Sequence, residues 1–283
     1  MNKKEAFIIG TGIAGVSLGE ILSRNGYKVF LLENSDKIGG EASLATQKWF
    51  HTGWLYAALP DQSATLGCNN AVKLFNVIYE NKYFENKINI RVDKTGVNYT
   101  DQEDGWFSNE RINFIFAKSS YEFNLFTKIY WPIYLRFVYL SRLRKLNYNI
   151  NRLEPDELTK GLLNFWENKS TGYKNYSIIE STDAKIKTDI IIRDLILSMN
   201  EETEIITNAD YKLNNKNNFS EIEINGKSYK PEVLIIASGK SIPKHLNIIG
   251  ADNYANQIKS IKSPILVLNK VLPYFDFIRY TPI

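Results

Sequence analysis

The pattern that most constrains the fold of this chain lies in residues 6–34. It begins with a short apolar run at residues 7–9, as expected for a buried strand. Gly10, Gly12 and Gly15 follow in the spacing GxGxxG, which is typical of the turn from strand to helix in a dinucleotide-binding βαβ unit. Gly10 allows the tight turn, Gly12 leaves room for a pyrophosphate against the backbone, and Gly15 lets the helix pack closely on the strand. The N–H groups at the start of that helix would bind the phosphates.

The residues after the glycines complete the unit and indicate which nucleotide it binds. Residues 28–32 predict the second strand, and Glu33 ends it. An acidic residue at this point accepts hydrogen bonds from an adenosine ribose and repels a 2′-phosphate, so FAD or NAD is favoured over NADP. The alternative is an α/β unit whose glycines serve only packing, which leaves Gly10 and Gly12 unexplained. Four apolar residues at helical spacing predict the helix face that packs on the sheet: Ile13, Val16, Ile21 and Leu22.

The composition excludes several classes of protein. The 283 residues carry a net charge of +4, which is too small and too scattered to indicate a nucleic-acid partner. A single cysteine, Cys68, excludes an intrachain disulfide, and two histidines do not make a usual set of zinc ligands. No signal peptide precedes the first strand, and no run of about 18 apolar residues occurs. We therefore expect a cytoplasmic protein without a metal site or an integral membrane segment, and its oligomeric state stays open.

The middle of the chain differs in character from its beginning. Residues 88–118 are strand-like, which indicates an inserted domain. Before them, residues 61–79 predict a helix with apolar residues on one side: Leu66, Ala71, Leu74, Phe75 and Ile78.

The α/β pattern returns near Asp183. It predicts a helix at 186–199, a strand at 204–206 and a meander that turns at Asn225-Gly226. The run VLIIASG at 233–239 predicts a fully buried strand that ends in small residues, where a ligand can approach the backbone.

These segments resemble the FAD-dependent oxidoreductases of the D-amino-acid oxidase and glycerol-3-phosphate dehydrogenase superfamily. The motifs that carry the resemblance are GTGIAG followed by Glu33, KIGGEAS at 37–43, the stretch from Asp183, and VLIIASG. The resemblance implies FAD as cofactor, a small-molecule substrate and an α/β fold with a Rossmann-like FAD-binding domain and an inserted α+β substrate domain. The expected segments are 1–82 and 181–262 for the FAD-binding domain, 83–180 for the substrate domain, and 263–283 for a return to the substrate domain.

The resemblance also implies roles for individual residues. It places Glu33 on the adenosine ribose and residues 237–239 against the adenine-side backbone. It places Gly39, Gly40 and Ser43 along the diphosphate and flavin side. The full set expected to bind FAD is Gly10, Gly12, Ile13, Ala14, Gly15, Glu33, Asn34, Gly39, Gly40, Ser43, Ala237, Ser238 and Gly239.

His51 is the catalytic candidate, because WFHTGWLY at 49–56 is similar to the segment that carries a histidine beside the flavin in some members. An imidazole there could take a substrate proton as hydride leaves. The alternative is a histidine that only caps a loop. Tyr56, Arg111 and Arg136 are the candidates for binding a substrate, the arginines by clamping a carboxylate.

The function that follows is an FAD-dependent oxidase or dehydrogenase acting on a C–N or C–O bond of a small amine, amino acid or hydroxy acid. Three alternatives stay open: an NAD-dependent enzyme, a mutase-like flavin enzyme without net redox change, and a non-catalytic nucleotide-binding scaffold. The superfamily's late glycine-rich strand and loop have no counterpart in this sequence, so we expect an incomplete catalytic domain in this chain.

Overall fold

The chain divides into two compact units in a computed structural model. Unit 1 comprises Met1–Lys48 and Lys187–Val267, and unit 2 comprises Trp49–Ile186 and Leu268–Ile283. The sequence analysis placed the corresponding boundaries after residues 82, 180 and 262. The first division comes earlier because Trp49 and Phe50 pair with a strand of unit 2. The structure describes residues 4–45, 49–54, 57, 63–79, 84, 87–93, 96–100, 103–117, 137, 140–145, 148, 150–216, 219–259 and 277–280.

Strands and helices alternate along the chain in a mixed α/β order. They are β1 (Glu5–Ile9), α1 (Ile13–Arg24), β2 (Lys28–Leu32), α2 (Ala42–Ala45), β3 (Trp49–Phe50), α3 (Ser63–Tyr79), β4 (Ile90–Asp93), β5 (Gly96–Tyr99), β6 (Phe107–Ala117), α4 (Leu140–Lys145), β7 (Asn151–Leu153), α5 (Glu157–Glu167), β8 (Tyr176–Ile186), α6 (Thr188–Ser198), β9 (Glu204–Ile206), β10 (Tyr211–Lys216), β11 (Phe219–Ile224), β12 (Lys227–Tyr229), β13 (Val233–Ile236), α7 (Ile242–Ile248), α8 (Asp252–Ala255) and β14 (Phe277–Tyr280).

A parallel sheet forms the centre of unit 1. Its described strands lie in the order β13-β1-β2-β9, and each neighbouring pair is parallel. The sheet is covered on both faces, which is why β1 and β2 read as continuous apolar runs. On one face Phe7 and Phe30 stack at 4.4 Å and pack against the β10-β11-β12 meander through Leu213, Ile222 and Ile224. On the other face Ile8, Val29 and Leu31 pack against residues that include Leu22 and Met199.

Several predicted elements of unit 1 are confirmed. The strand at 204–206 and the helix within 186–199 are present. The meander turns at Asn225 and Gly226, whose φ angles of 49° and 79° are those of a tight hairpin turn. Gly26, with φ of 86°, follows the C-cap of α1, and the Tyr27 N–H donates to the Leu22 carbonyl as in a Schellman motif.

The prediction that four apolar residues of α1 face the sheet is confirmed for Val16, which is buried, and for Leu22, which packs against Ile8, Val29 and Leu31. Ile13, Ile21 and Leu22 are only half-buried, and the buried positions are Gly15, Val16, Gly19, Glu20 and Ser23. Small residues take this face because the helix lies close to the sheet. A Cβ on Gly19 would lie 3.2 Å from Leu31 Cδ2 and 3.4 Å from Ile8 Cδ1.

The burial predicted for the strand at 233–236 is wrong, and the apolar side of α3 is not its buried side. The strand at 233–236 is half-buried instead of fully buried, since β13 lies at the edge of the sheet in the described part of the chain. In α3, Leu66 and Leu74 are exposed at 44% and 59%. The buried residues of that helix are Thr65, Asn69, Val72 and Tyr79, so two polar side chains occupy the face that the apolar pattern did not mark.

Unit 2 is built on a sheet in which β6 and β8 form the long antiparallel pair. Its described strands follow the order β14-β6-β8-β3, and β7 also pairs with β8. The register of β6 shifts on either side of Arg111, which marks an irregularity in that strand. The strand-like character predicted for 88–118 is confirmed by β4, β5 and β6. The core here is aromatic and includes Phe75, Tyr79, Phe84, Trp106 and Phe107.

Candidate functional site

The glycine turn between β1 and α1 is closely packed. Gly10 has a φ of 103°, and a Cβ there would lie 2.5 Å from the carbonyl oxygen of Ala237. A Cβ on Gly15 would lie 2.0 Å from the Gly10 carbonyl oxygen. Side chains are therefore excluded at both positions by backbone atoms, which cannot move aside. A Cβ on Gly12 would meet only Ser43 Oγ, at 2.9 Å.

The start of α1 presents backbone donors to this turn. The first intrahelical bond runs from the Val16 N–H to the Gly12 carbonyl, so the N–H groups of residues 13–15 precede the ladder. The Ile13 N–H donates to Ser43 Oγ at 2.9 Å. No acidic residue lies in the first turn of α1, so its positive dipole end is available to an anion.

Glu33 is tied to the turn by Thr11, a fully buried residue between the glycines. Glu33 Oε2 accepts hydrogen bonds from the Thr11 N–H at 3.2 Å and the Thr11 hydroxyl at 2.6 Å. Its Oε1 accepts from the Ser35 N–H at 3.1 Å. Partial burial raises the pKa of Glu33, but the hydrogen bonds from Thr11 and Ser35 together lower it by more, so the net shift is downward. The side chain is therefore a carboxylate at neutral pH.

Glu33 also keeps capacity for one further donor. The Ser35 hydroxyl lies 3.2 Å from Glu33 Oε1 and 2.9 Å from the Lys37 carbonyl, and its single hydrogen can go to only one of them. When it goes to Lys37, three donors occupy a carboxylate that has about four acceptor sites. The remaining site suits a hydroxyl such as that of a ribose.

The KIGGEAS loop packs beside the same turn. The Gly39 N–H donates to Thr11 Oγ1 at 3.3 Å, and Gly39 has a φ of 67°. Its Cβ would lie 2.8 Å from Ile192 Cδ1, so the loop is close to α6. The Gly40 N–H donates to the Lys37 carbonyl at 3.3 Å. Thr11 therefore joins the turn, Glu33 and this loop through one hydroxyl.

The end of β13 contributes a second polar cluster. The Ala237 N–H donates to the Ile9 carbonyl, and Gly239, with φ of 54°, begins a short 3₁₀ turn. The Ser238 hydroxyl lies 2.8 Å from Nδ1 of His245, and the Tyr211 hydroxyl lies 3.1 Å from its Nε2. Burial and the nearby charge of Lys244 lower the pKa of His245, so its ring is neutral at pH 7.

Tyr211 connects this cluster to the ribose side of the turn. Burial raises the pKa of Tyr211, a hydrogen bond with Asn34 lowers it, and the charge of Glu33 raises it again, with a net upward shift. The hydroxyl is therefore protonated and can donate. Ser238, His245, Tyr211, Asn34 and Glu33 form a continuous polar edge in unit 1.

The residues of unit 1 fit the adenosine diphosphate part of a dinucleotide. The absence of a side chain at Gly12 leaves space beside the turn, which any larger residue at that position would fill. The start of α1 offers N–H groups, and Glu33 offers a charged acceptor. The first turn of α1 itself carries no acidic residue that would repel the phosphates. This chemistry matches FAD or NAD.

In unit 2, His51 lies directly after β3 and contacts a buried acid. Trp49 and Phe50 pair with Lys185 and Ala184 of β8, so the antiparallel register brings His51 to Asp183. His51 Nδ1 lies 3.0 Å from Asp183 Oδ2. The side chain of Asp183 is fully buried, whereas that of His51 is 19% exposed.

Thr52 and Tyr148 extend this contact into a buried network. Asp183 Oδ1 accepts from the Thr52 N–H at 2.8 Å and from its hydroxyl at 2.9 Å. The Tyr148 hydroxyl donates to the Thr52 carbonyl and accepts from Asn69 Nδ2 at 3.2 Å. Burial raises the pKa of Tyr148 to about 12, so it stays a donor. Burial, with a smaller contribution from the charge of Asp183, also raises the pKa of the Cys68 thiol, which is therefore protonated at neutral pH.

The structure brings together most of the predicted FAD-binding residues within unit 1, since the glycine turn, Ser43, Glu33 and the end of β13 are neighbours. Tyr56 and Arg136 lie outside the described residues. The backbone of Arg111 lies on β6 opposite Ala184. Thr11, Asp183, Tyr211 and His245 were missed. Only Thr11 had a local signal, as a polar residue between two turn glycines.

Across the residues that the structure describes, no three or more His, Cys, Asp or Glu side chains gather where a metal ion could bind. Among the described helices, none has the length and apolar character needed to cross a membrane.

Comparisons with known proteins agree with this geometry. A family model described as FAD dependent oxidoreductase matches residues 5–111. Glycine oxidase from Geobacillus kaustophilus has a TM-score of 0.57 at 13% identity, covering 88% of this chain and 59% of that one. L-proline dehydrogenase from P. horikoshii has a TM-score of 0.55 at 15% identity, with 88% and 56% covered. L-alpha-glycerophosphate oxidase from Mycoplasma pneumoniae, solved with FAD bound, has a TM-score of 0.51 at 16% identity, with 88% and 58% covered.

These likenesses show a shared fold, because the identities are low. The chain spans less than two thirds of the length of each of these three structures.

Proposed function

We propose that this protein oxidises a C–N or C–O bond of a small molecule, because residues 5–111 match the family model of FAD dependent oxidoreductases. FAD is the cofactor of that family. The substrate class that we propose is a small amine, an amino acid or a hydroxy acid. Glycine oxidase and L-proline dehydrogenase are named for C–N substrates and glycerophosphate oxidase for a C–O substrate.

The observation that carries the proposal is the contact of Glu33 with Thr11 across the glycine turn. It fixes a carboxylate beside the donors of α1, which is the arrangement that an adenosine diphosphate needs. A glycine turn that served packing alone would need neither the charge nor the remaining acceptor site of Glu33. This supports nucleotide binding over a purely structural unit.

FAD, when bound, supplies the acceptor for the hydride. The residues of unit 1 would bind and orient it through the N–H groups of residues 14 and 15 and the carboxylate of Glu33, since the Ile13 N–H already donates to Ser43 Oγ. In unit 2, His51 would hold the proton that leaves the substrate hydroxyl or ammonium group. Tyr56, Arg111 and Arg136 remain our candidates for binding the substrate.

The test begins with FAD titrated into the purified protein and followed by its visible absorbance. Saturable binding is expected, followed by bleaching without oxygen when glycine, L-proline or sn-glycerol 3-phosphate is added. A protein that binds no FAD would contradict the proposal and favour the scaffold or NAD reading. Bound FAD that none of the three bleaches would contradict the substrate class.

A variant locates the cofactor on the glycine turn. Gly12→Val places a branched side chain where the pyrophosphate must meet the backbone, so FAD binding should be lost. The apo fold should survive, because the new Cβ meets only the flexible end of Ser43. Circular dichroism checks the fold. The matched control is Gly67→Val, a position where a Cβ meets nothing within 4 Å, and it should bind FAD as the wild type does.

A further inference from the structure

We propose that Asp183 is a positioning residue that keeps the proton of His51 on Nδ1, so that Nε2 is the nitrogen that accepts the proton of the substrate. The part of this proposal that places the proton on Nδ1 concerns the imidazole alone. The part that makes Nε2 the acceptor of the substrate proton rests on the proposed function. The sequence offered no sign of this partner, which lies 132 residues away.

The hydrogen bonds around Asp183 show that both of its carboxylate oxygens act as acceptors. Asp183 Oδ1 accepts hydrogen bonds from Thr52, whose N–H and hydroxyl lie 2.8 and 2.9 Å away. The Thr182 hydroxyl can donate to Thr52 Oγ1 in turn, which leaves the Thr52 hydrogen directed at Asp183. A fully buried carboxylate needs this set of donors, and Oδ2 completes it by accepting from His51.

The consequence for His51 follows from the chemistry of a neutral imidazole. A carboxylate can only accept, so Nδ1 must carry the hydrogen and Nε2 must carry the lone pair. A histidine that only capped a loop could use either nitrogen. The pairing with Asp183 therefore selects the tautomer that a general base requires.

The backbone makes this selection rigid. His51 follows directly after two residues paired with β8, and Thr52 binds Asp183 through its own N–H. The Tyr148 hydroxyl then holds the Thr52 carbonyl. The ring of His51 thus has one nitrogen fixed on a buried acid, while part of the side chain, 19% of its area, stays exposed.

Asp183→Asn tests the proposal with little change in shape. The Thr52 N–H can only donate, so the amide oxygen must face it and the amide NH₂ must face His51 Nδ1. The new donor should move the ring hydrogen from Nδ1 to Nε2. The tautomer is measured by long-range ¹H–¹⁵N spectra of histidine-labelled protein without any substrate. The chain has only two histidines, so His51→Gln assigns the signals and His245 is the internal control.

The expected result is an Nδ1–H signal for His51 in the wild type and an Nε2–H signal in Asp183→Asn, with the His245 signal unchanged. Flavin reduction by the substrate should slow by about 10² to 10⁴ in the variant, while the Kd for FAD stays the same. An Nε2–H signal in the wild type would overturn the proposal, and this measurement does not depend on whether a variant folds. An unchanged tautomer in a folded Asp183→Asn protein would do so too.

Failure of the proposed function gives a different result. If the tautomer changes but reduction keeps the wild-type rate, the assignment of Asp183 to the ring hydrogen is supported and His51 is not the base. A loss of FAD binding in Asp183→Asn would count against the positioning role, because it would mean a structural effect on the whole protein. Thr182→Val is the matched control: it removes the outer hydroxyl of the same network and should leave the His51 tautomer unchanged.

Discussion

At the scale of single residues, the affinity for FAD should depend on Glu33. Removing a charged partner of hydrogen bonds typically costs about 1.5 to 3 kcal/mol, which is roughly ten- to a hundredfold in Kd. We expect Glu33→Ala to weaken FAD binding by that factor in isothermal titration calorimetry. Glu232→Ala is the control, since it removes a surface acid paired with Lys4 and should leave the Kd unchanged. Equal affinities for wild type and Glu33→Ala would mean that the ribose is held elsewhere.

Glu33 should also make the stability of the protein depend on pH. Burial raises its pKa, but the hydrogen bonds from Thr11 and Ser35 lower it by more, so the pKa lies below the ordinary value of 4.5. A depressed folded-state pKa adds stability that is fully present above the unfolded value and is lost as the pH falls through the folded value. Urea unfolding of the wild type and Glu33→Gln should therefore show a constant difference at pH 6 to 8. The difference should shrink below about pH 4.5, and a pH-independent difference would contradict the role of the charge.

The residues that could be predicted are those whose task is local. Gly10 and Gly15 were identified because the tight turn and the closely packed helix require glycines at a fixed spacing in the sequence. In the structure, backbone atoms leave no room for a Cβ at either position. Glu33 was found by its distance along the chain from those glycines. Asp183 could not be found, because its contact with His51 depends on the register of β3 against β8, which no local pattern encodes.

At the scale of elements, two glycine substitutions should have opposite effects. Gly226 has a φ of 79° in the hairpin between β11 and β12, and alanine is disfavoured in that conformation by roughly 1 to 2 kcal/mol. Gly161 lies within α5, where a Cβ meets nothing within 4 Å, and alanine should stabilise the helix by roughly 0.5 to 1 kcal/mol. The free energy of unfolding should fall for Gly226→Ala and rise for Gly161→Ala. If the free energy of unfolding fell for both variants, the expectation for α5 would be wrong, because alanine at position 161 would then be strained in the helix.

The same contrast explains how well the elements could be predicted. The Asn225-Gly226 turn was correctly predicted because its backbone demands residues that tolerate positive φ. The faces of α1 and α3 were harder, because apolar spacing marks large side chains. On α1 the close approach to the sheet selects Gly15 and Gly19, and on α3 the buried face includes Thr65 and Asn69.

At the scale of the whole molecule, the boundary between the two units depends on strand pairing over long distances. Unit 2 begins at Trp49, because β3 joins β8, and unit 1 resumes at Lys187. The strand-like pattern that indicated an inserted domain starts only near residue 88, so the expected boundary falls after residue 82. His51 therefore belongs to unit 2, whereas the glycine turn and Glu33 belong to unit 1.

This division predicts that binding and chemistry can be separated by mutation. His51→Gln keeps a similar size and some hydrogen bonding to Asp183 but cannot carry a proton, so reduction of the flavin by substrate should slow by about 10² to 10⁴. The Kd for FAD should stay at the wild-type value, because the residues proposed to bind FAD lie in unit 1. Gly12→Val should show the reverse, with FAD lost before any chemistry can be measured. Stopped-flow reduction without oxygen and FAD titration measure the two properties in the same samples. If His51→Gln is reduced at the wild-type rate, His51 has a structural task, and the proton acceptor must be sought elsewhere, with Tyr56 as the first candidate.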